Sequence, residues 1–143
     1  MAVIKPFKSI RPRKGLEDKI AALPYDVYNR SEAKEAVKGN PLSFLNIDRP
    51  ETQYDDDFDM YSDESYQTAA RLLDGMLERN EYIRDDKAYY YIYELTMNGR
   101  AQTGIVAVAS VDDYINETIK KHENTRADKE LDRIRHVDTL SAQ

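Results

Sequence analysis

The stretch AYYYIYELTMNGRAQTGIVAVAS, residues 88–110, decides the fold class. At its centre stands Asn98-Gly99, the dipeptide favoured in a two-residue type I′ turn, where both central residues take positive φ. Such a turn sets the register of both flanking strands. Met97 then faces Arg100, Ile92 faces Ile105, Tyr91 faces Val106 and Tyr93 lies opposite Gly104. An aromatic ring over a strand glycine is a stabilising pair. Residues 89–93 are apolar or aromatic at every position, so the pattern predicts a hairpin central in its sheet and covered on both faces. Four tyrosines in five residues suggest a ligand wall, but buried core is the expected reading, with hydroxyls that need partners at the rim.

The flanking segments read as helices and turns. Tyr66, Ala69, Ala70, Leu73, Met76 and Leu77 recur at spacings of three and four, which places them on one face of a helix running from about Ser62 to Arg79. Asn29-Arg30-Ser31-Glu32 has capping-box spacing and opens a shorter helix that Gly39 and Pro41 close. Pro24 holds Leu23 extended, so LPYDVYN (23–29) reads as a short strand or turn. LSFLNI (42–47) has the apolar density of a short buried strand. Ser110 caps a short helix, and another helix is expected from Thr125 onward. The fold class is therefore α+β: a mixed or antiparallel sheet built round the 89–109 hairpin, with three or four packed helices. Length places all of residues 1–143 in a single domain.

Composition narrows the function classes. There is no cysteine, which removes thiolate nucleophiles, disulfides and Cys-based zinc sites. No run of about 18 apolar residues is present, and the first residues lack the apolar stretch of a signal peptide. A cytoplasmic protein with no membrane partner is expected. The formal charge of −6 opposes nucleic-acid binding, although Lys5, Lys8, Arg11, Arg13 and Lys14 make the first residues basic. ETQYDDDFDMYSDE (51–64) is acidic throughout. It is no EF-hand loop, because Met60 and Tyr66 stand where that loop needs Gly and Glu.

Neither common Gly-rich phosphate loop is present, and His122-Glu123 fails to continue as H-E-x-x-H because the fifth residue is Arg126. What remains is KHENTRADKELDR, residues 121–133. A helix N-terminus offers unpaired N–H groups and a positive dipole end. Thr125 is placed to cap that end or to donate its hydroxyl. Arg126, Lys129 and Arg133 add cations, and arginine holds phosphate bidentately. His122 supplies general acid or base chemistry near neutral pH, and Glu123 and Asp132 hold the bases in place or bind a cation. On a helical wheel Arg126, Lys129, Arg133 and His136 fall within about an 80° arc. Ala127, Leu131 and Ile134 form a separate apolar stripe, so the helix is expected to pack on its apolar side and show its cations to solvent. The plain alternative is a solvated helix with alternating charges.

Four segments, in this order, carry a family resemblance: PYDVY (24–28), NPLSFLNIDRPE (40–51), YIYELTMNGRAQTGIVA (91–107) and IKKHENTRADKELDR (119–133). The chain resembles the N-terminal part of the bacterial and archaeal family labelled domain of unknown function 1015. The last segment is similar to the family signature H-E-x-T-x-x-x-K-x-x-D-R at His122, Glu123, Thr125, Lys129, Asp132 and Arg133. Full-length members continue into a D-G-H-H-R-Y motif, similar to the phosphate-handling element of the ParB and sulfiredoxin-like superfamily, which includes a free-serine kinase. That motif does not occur here.

The resemblance implies the N-terminal portion of a nucleotide- or phosphate-dependent, kinase-like enzyme. It also implies a fragment that is inactive alone and whose partner is the C-terminal part of its own chain. A nucleotide with a divalent cation is the implied cofactor, and a small phosphorylated molecule the implied ligand. His122, Asp26 and Glu123 are the expected proton-transfer groups, with Asp26 also a possible metal ligand. Thr125, Arg126, Lys129 and Arg133 form the phosphate wall, supported by Tyr25 and Asp132. The rival reading is a non-catalytic docking module in which the 121–133 helix meets a partner.

Overall fold

The computed structural model describes residues 1–122 and 126–142. Short antiparallel sheets and helices make up the chain, which is α+β as its sequence predicts. It divides into two compact units, one formed by residues 1–11 and 84–124, the other by residues 12–83 and 125–143.

The first unit is organised by the hairpin. Strands β4 (Tyr91–Met97) and β5 (Arg100–Val106) pair antiparallel with Met97 opposite Arg100, Tyr93 opposite Gly104 and Tyr91 opposite Val106. Asn98 and Gly99 have φ of 51° and 76°, the two positive values a type I′ turn requires. The register is the one the dipeptide dictates. The covering is not the expected one. The hairpin is a sheet of two strands, and Ile92 and Ile105 are 72% and 68% exposed. Dense apolar character on both strands predicts burial on both faces. Among the described residues, however, no third strand pairs with it.

The N-terminal arm is stitched to this unit by hydrogen bonds. Strand β1 (Ile4–Lys5) pairs antiparallel with β6 (Val108–Ala109), and Phe7 bridges to Tyr89. The Tyr91 hydroxyl accepts from the Ser9 N–H at 2.9 Å and donates to Asp85 Oδ2 at 2.7 Å, which supplies the rim partner its burial demands. Arg11 grips the same carboxylate at 2.8 Å, and with Tyr91 it holds the Asp85 carboxyl below its ordinary range. Ser110 caps helix α5 (Val111–Ile115) by accepting from the Asp113 N–H.

The second unit holds the apolar core. Ile20, Ala33, Leu45, Ile47, Tyr66, Ala69, Leu73, Met76 and Tyr82 are buried. The longest helix, α4, spans Asp63–Glu78 and is capped by Ser62. It buries Tyr66, Ala69, Leu73 and Met76, the stripe its spacing predicts. Helix α1 is Glu17–Ile20, and helix α2 is Arg30–Val37. At the start of α2 both halves of the capping box form: Asn29 accepts from the Glu32 N–H, and Glu32 accepts from the Asn29 N–H. PYDVY closes on itself as a 3-10 turn, Tyr25–Val27.

LSFLNI departs from expectation. Instead of a strand, Leu45–Asp48 form helix α3, followed by a 3-10 turn at Pro50–Gln53. A short apolar run has no period long enough to separate a buried strand from a buried helix. Here Leu45, Asn46 and Ile47 are all buried, and the Asn46 amide donates to the Asn40 and Ser43 carbonyls, closing a compact turn. The last helix, α6 (Ala127–Leu140), packs on α4. Strands β2 (Ile10–Pro12) and β3 (Tyr82–Arg84) form the remaining two-stranded sheet.

Candidate functional site

Helix α6 meets the core with its polar side. Asp132 and His136, one turn apart, are both buried, whereas Leu131 is 64% exposed and Ile134 49%. This reverses the expectation that the apolar stripe would pack and the cations face solvent. The physical reason lies on α4. The Tyr66 hydroxyl donates to Asp132 Oδ1 at 2.9 Å, so the core offers this helix a hydrogen-bond donor rather than a greasy surface. The ring of His136 stands edge-on to the Tyr66 ring at 6.2 Å. Arg135 lies 4.7 Å over the same ring and pairs with Asp63 at 2.6 Å. A shallow cleft of about 310 Å³ opens there, lined by Tyr61, Tyr66, Leu131, Asp132 and Arg135.

Arg133 is the centre of the cluster. Its Nε and Nη2 donate to Asp132 Oδ2 at 3.1 and 2.8 Å. Its Nη1 stands 3.7 Å from Asp48 at the end of α3, and its guanidinium lies 4.3 Å over the ring of Tyr25. Arg49 fixes that ring's backbone: its Nη1 donates to the carbonyls of Tyr25 and Tyr28 at 3.0 and 2.8 Å, while its Nε pairs with buried Glu51. Both charges of the Arg49–Glu51 pair are out of water, and the two carbonyls take up the Nη1 donors. The segments PYDVY, NPLSFLNIDRPE and KELDR, far apart in the chain, thus converge on one guanidinium.

Electrostatics follow from burial. Burial pushes the Asp48 carboxyl up, against the opposing pull of Arg133. Burial also lowers His136 to about 4, helped by Arg133 and opposed by Asp132. Tyr66 rises to about 12, first through burial and then through its bond to Asp132. Buried Tyr82, beside Asp48, also rises to about 12.

Of the residues singled out from the sequence, Tyr25, Asp132 and Arg133 come together in this cluster. Lys129 is half-buried on α6, and Arg126 is exposed at its N-cap position, without a side-chain cap. Asp26 is exposed in the 3-10 turn next to Tyr25. His122 is exposed and belongs to the first unit. Glu123 and Thr125 lie outside the described residues. Sequence reasoning missed Asp48, Arg49 and the Tyr66 hydroxyl. Asp48 and Arg49 stood inside NPLSFLNIDRPE, and a charged pair closing an otherwise apolar run was the available signal.

Fold and site together define an α+β protein whose C-terminal helix is tied to its core by a buried carboxylate and a stacked arginine. Residues 4–143 match the family model described as "Protein of unknown function (DUF1015)", and the chain belongs to that family. No curated protein and no solved structure matches the chain. No helix among the described residues is long and apolar enough to cross a membrane.

Proposed function

We propose that the second unit carries part of the phosphate site of a nucleotide- or phosphate-dependent, kinase-like enzyme. One observation supports this reading above others: three distant segments of the chain meet at Arg133, which is held rigidly between the Tyr25 ring and Asp132. An arginine stacked and braced in this way keeps its planar donors aimed, so it loses little side-chain entropy on gripping an anion. Among the described residues Nη1 makes no hydrogen bond, only the longer contact to Asp48, and it is the donor left for a phosphate oxygen. Lys129 and Arg126, on the N-terminal turns of α6, add charge beside the positive end of the helix dipole. Asp26, in the turn beside Tyr25, is the proton-transfer group that this reading takes from the second unit. Among the described residues no three His, Asp or Glu side chains could hold a metal ion.

Calorimetric titration of the full chain with inorganic phosphate and with a nucleoside triphosphate tests the proposal. Lys129→Ala and Arg133→Ala each weaken binding by about tenfold or more, as loss of a charge-assisted contact predicts. Equal affinity in wild type and both variants would sink the reading.

The docking alternative draws on a different observation, the exposed Leu131 and Ile134 on the outward face of α6. Exposed apolar side chains on a helix whose polar side is buried fit a partner surface. Under this reading the C-terminal region of a full-length relative, made separately, binds the chain, and Leu131→Glu with Ile134→Glu abolishes that binding while leaving phosphate affinity intact.

A further inference from the structure

We propose that Asp48 is a built-in competitor for the anion that Arg133 binds, so that anion binding is coupled to protonation of Asp48. The inference rests on the phosphate-site reading and concerns how that site is regulated. Asp132 occupies Nε and Nη2 of Arg133 at hydrogen-bond distance, and Tyr66 shares the burden of that carboxylate. Asp48 is held differently. Its Oδ1 stands 3.7 Å from Nη1, too far for a hydrogen bond, in a position where its side chain is 23% exposed. It is thus close enough to neutralise the guanidinium yet makes no directed bond that an incoming anion must break.

Two negative groups cannot share Nη1 without mutual repulsion. A dianion arriving there displaces Asp48 or raises its proton affinity, so that the carboxylate takes up a proton from solvent. The surroundings favour protonation. Arg133, from α6, is the one charged group among the described residues that acts on Asp48, and it does so against burial. The group facing Asp48 from β3 is Tyr82, a buried neutral phenol. Asp132 is engaged on the far side of the guanidinium, and Arg49 and Glu51, next in the chain, are paired with each other. Burial raises the Asp48 carboxyl and the Arg133 guanidinium lowers it, so an anion that takes up the guanidinium's charge weakens the one influence opposing protonation. Binding therefore tightens as pH falls.

The test uses the full chain and sulfate, a dianion whose own charge is constant between neutral and mildly acidic pH. Wild-type affinity for sulfate is expected to rise as the solution is made mildly acidic. Asp48→Asn, nearly isosteric, should bind on the order of tenfold more tightly at neutral pH, the effect of about one unit of coupling, and should lose most of the pH dependence. Asp48→Ser, which removes the charge with less bulk, reproduces both effects if charge is the cause. Tyr82→Phe keeps the pH dependence. If Lys129→Ala and Arg133→Ala weaken sulfate binding while Asp48→Asn matches wild type at every pH, the site stands and the coupling is overturned. If sulfate binds neither wild type nor Asp48→Asn, both proposals fall together.

Discussion

Asp132 and His136 share one face of α6 with Arg133, and their burial sets the local energetics. Tyr66→Phe leaves Asp132 Oδ1 without its donor. The unsatisfied oxygen costs about 1–3 kcal/mol, measurable as a lower midpoint in denaturant with an unchanged slope. His136 makes stability depend on pH. In the folded chain it stays neutral down to about 4, whereas its ordinary value is 6.5. Between those values the unfolded chain binds the extra proton. Stability is therefore full above about pH 6.5 and falls as pH drops toward 4, by at most about 3 kcal/mol. His136→Gln is expected to flatten this part of the curve. An equally steep acid limb in that variant would assign the effect to other groups. At this scale Asp132 and Arg133 were legible as members of a signature, and Lys129 with them. Which of them would be buried was not, because a charged side chain goes inside only where a partner waits. The partner here is a tyrosine 66 residues away.

Elements differ in how far local chemistry determines them. The capping box at α2 closes within four residues, and it formed as the sequence predicts. Asn29→Ala removes one half of it and should cost about 1 kcal/mol, read by thermal unfolding. The Asn98-Gly99 turn was equally legible, since both residues adopt the positive φ that the hairpin twist needs. Helix α3 was misread as a strand because a short apolar run carries no usable period. Helix α6, expected from Thr125 onward, runs from Ala127 to Leu140 and turns inward the face expected to point out. That inversion makes a direct prediction. Leu131→Glu, at an exposed position, should change stability by no more than about 0.5 kcal/mol. Large destabilisation by this variant would mean that Leu131 is part of the core.

Across the whole molecule, burial is unevenly shared. Among the described residues the buried apolar side chains all lie between Ile20 and Tyr82, in the second unit. The first unit is held instead by the ladder of β4 and β5 and by the Tyr91–Asp85–Arg11 network. A two-stranded ribbon without a covered face is marginal in water. Native-state hydrogen exchange should therefore show strong protection in α4, around Ala69 and Leu73, and weak protection through residues 91–106. Comparable protection in both would mean that the hairpin is covered in solution. The sequence by itself determined what depends on near neighbours: the helix caps, the hairpin register, the core stripe of α4 and the α+β class. Each rests on hydrogen bonds and contacts closed within a few residues. The tertiary structure alone decided which face of α6 turns inward, and that Tyr25, Asp48 and Asp132 surround Arg133. Taking a charge out of water is tolerated only when a distant segment supplies its partner, and only the folded chain brings that partner near.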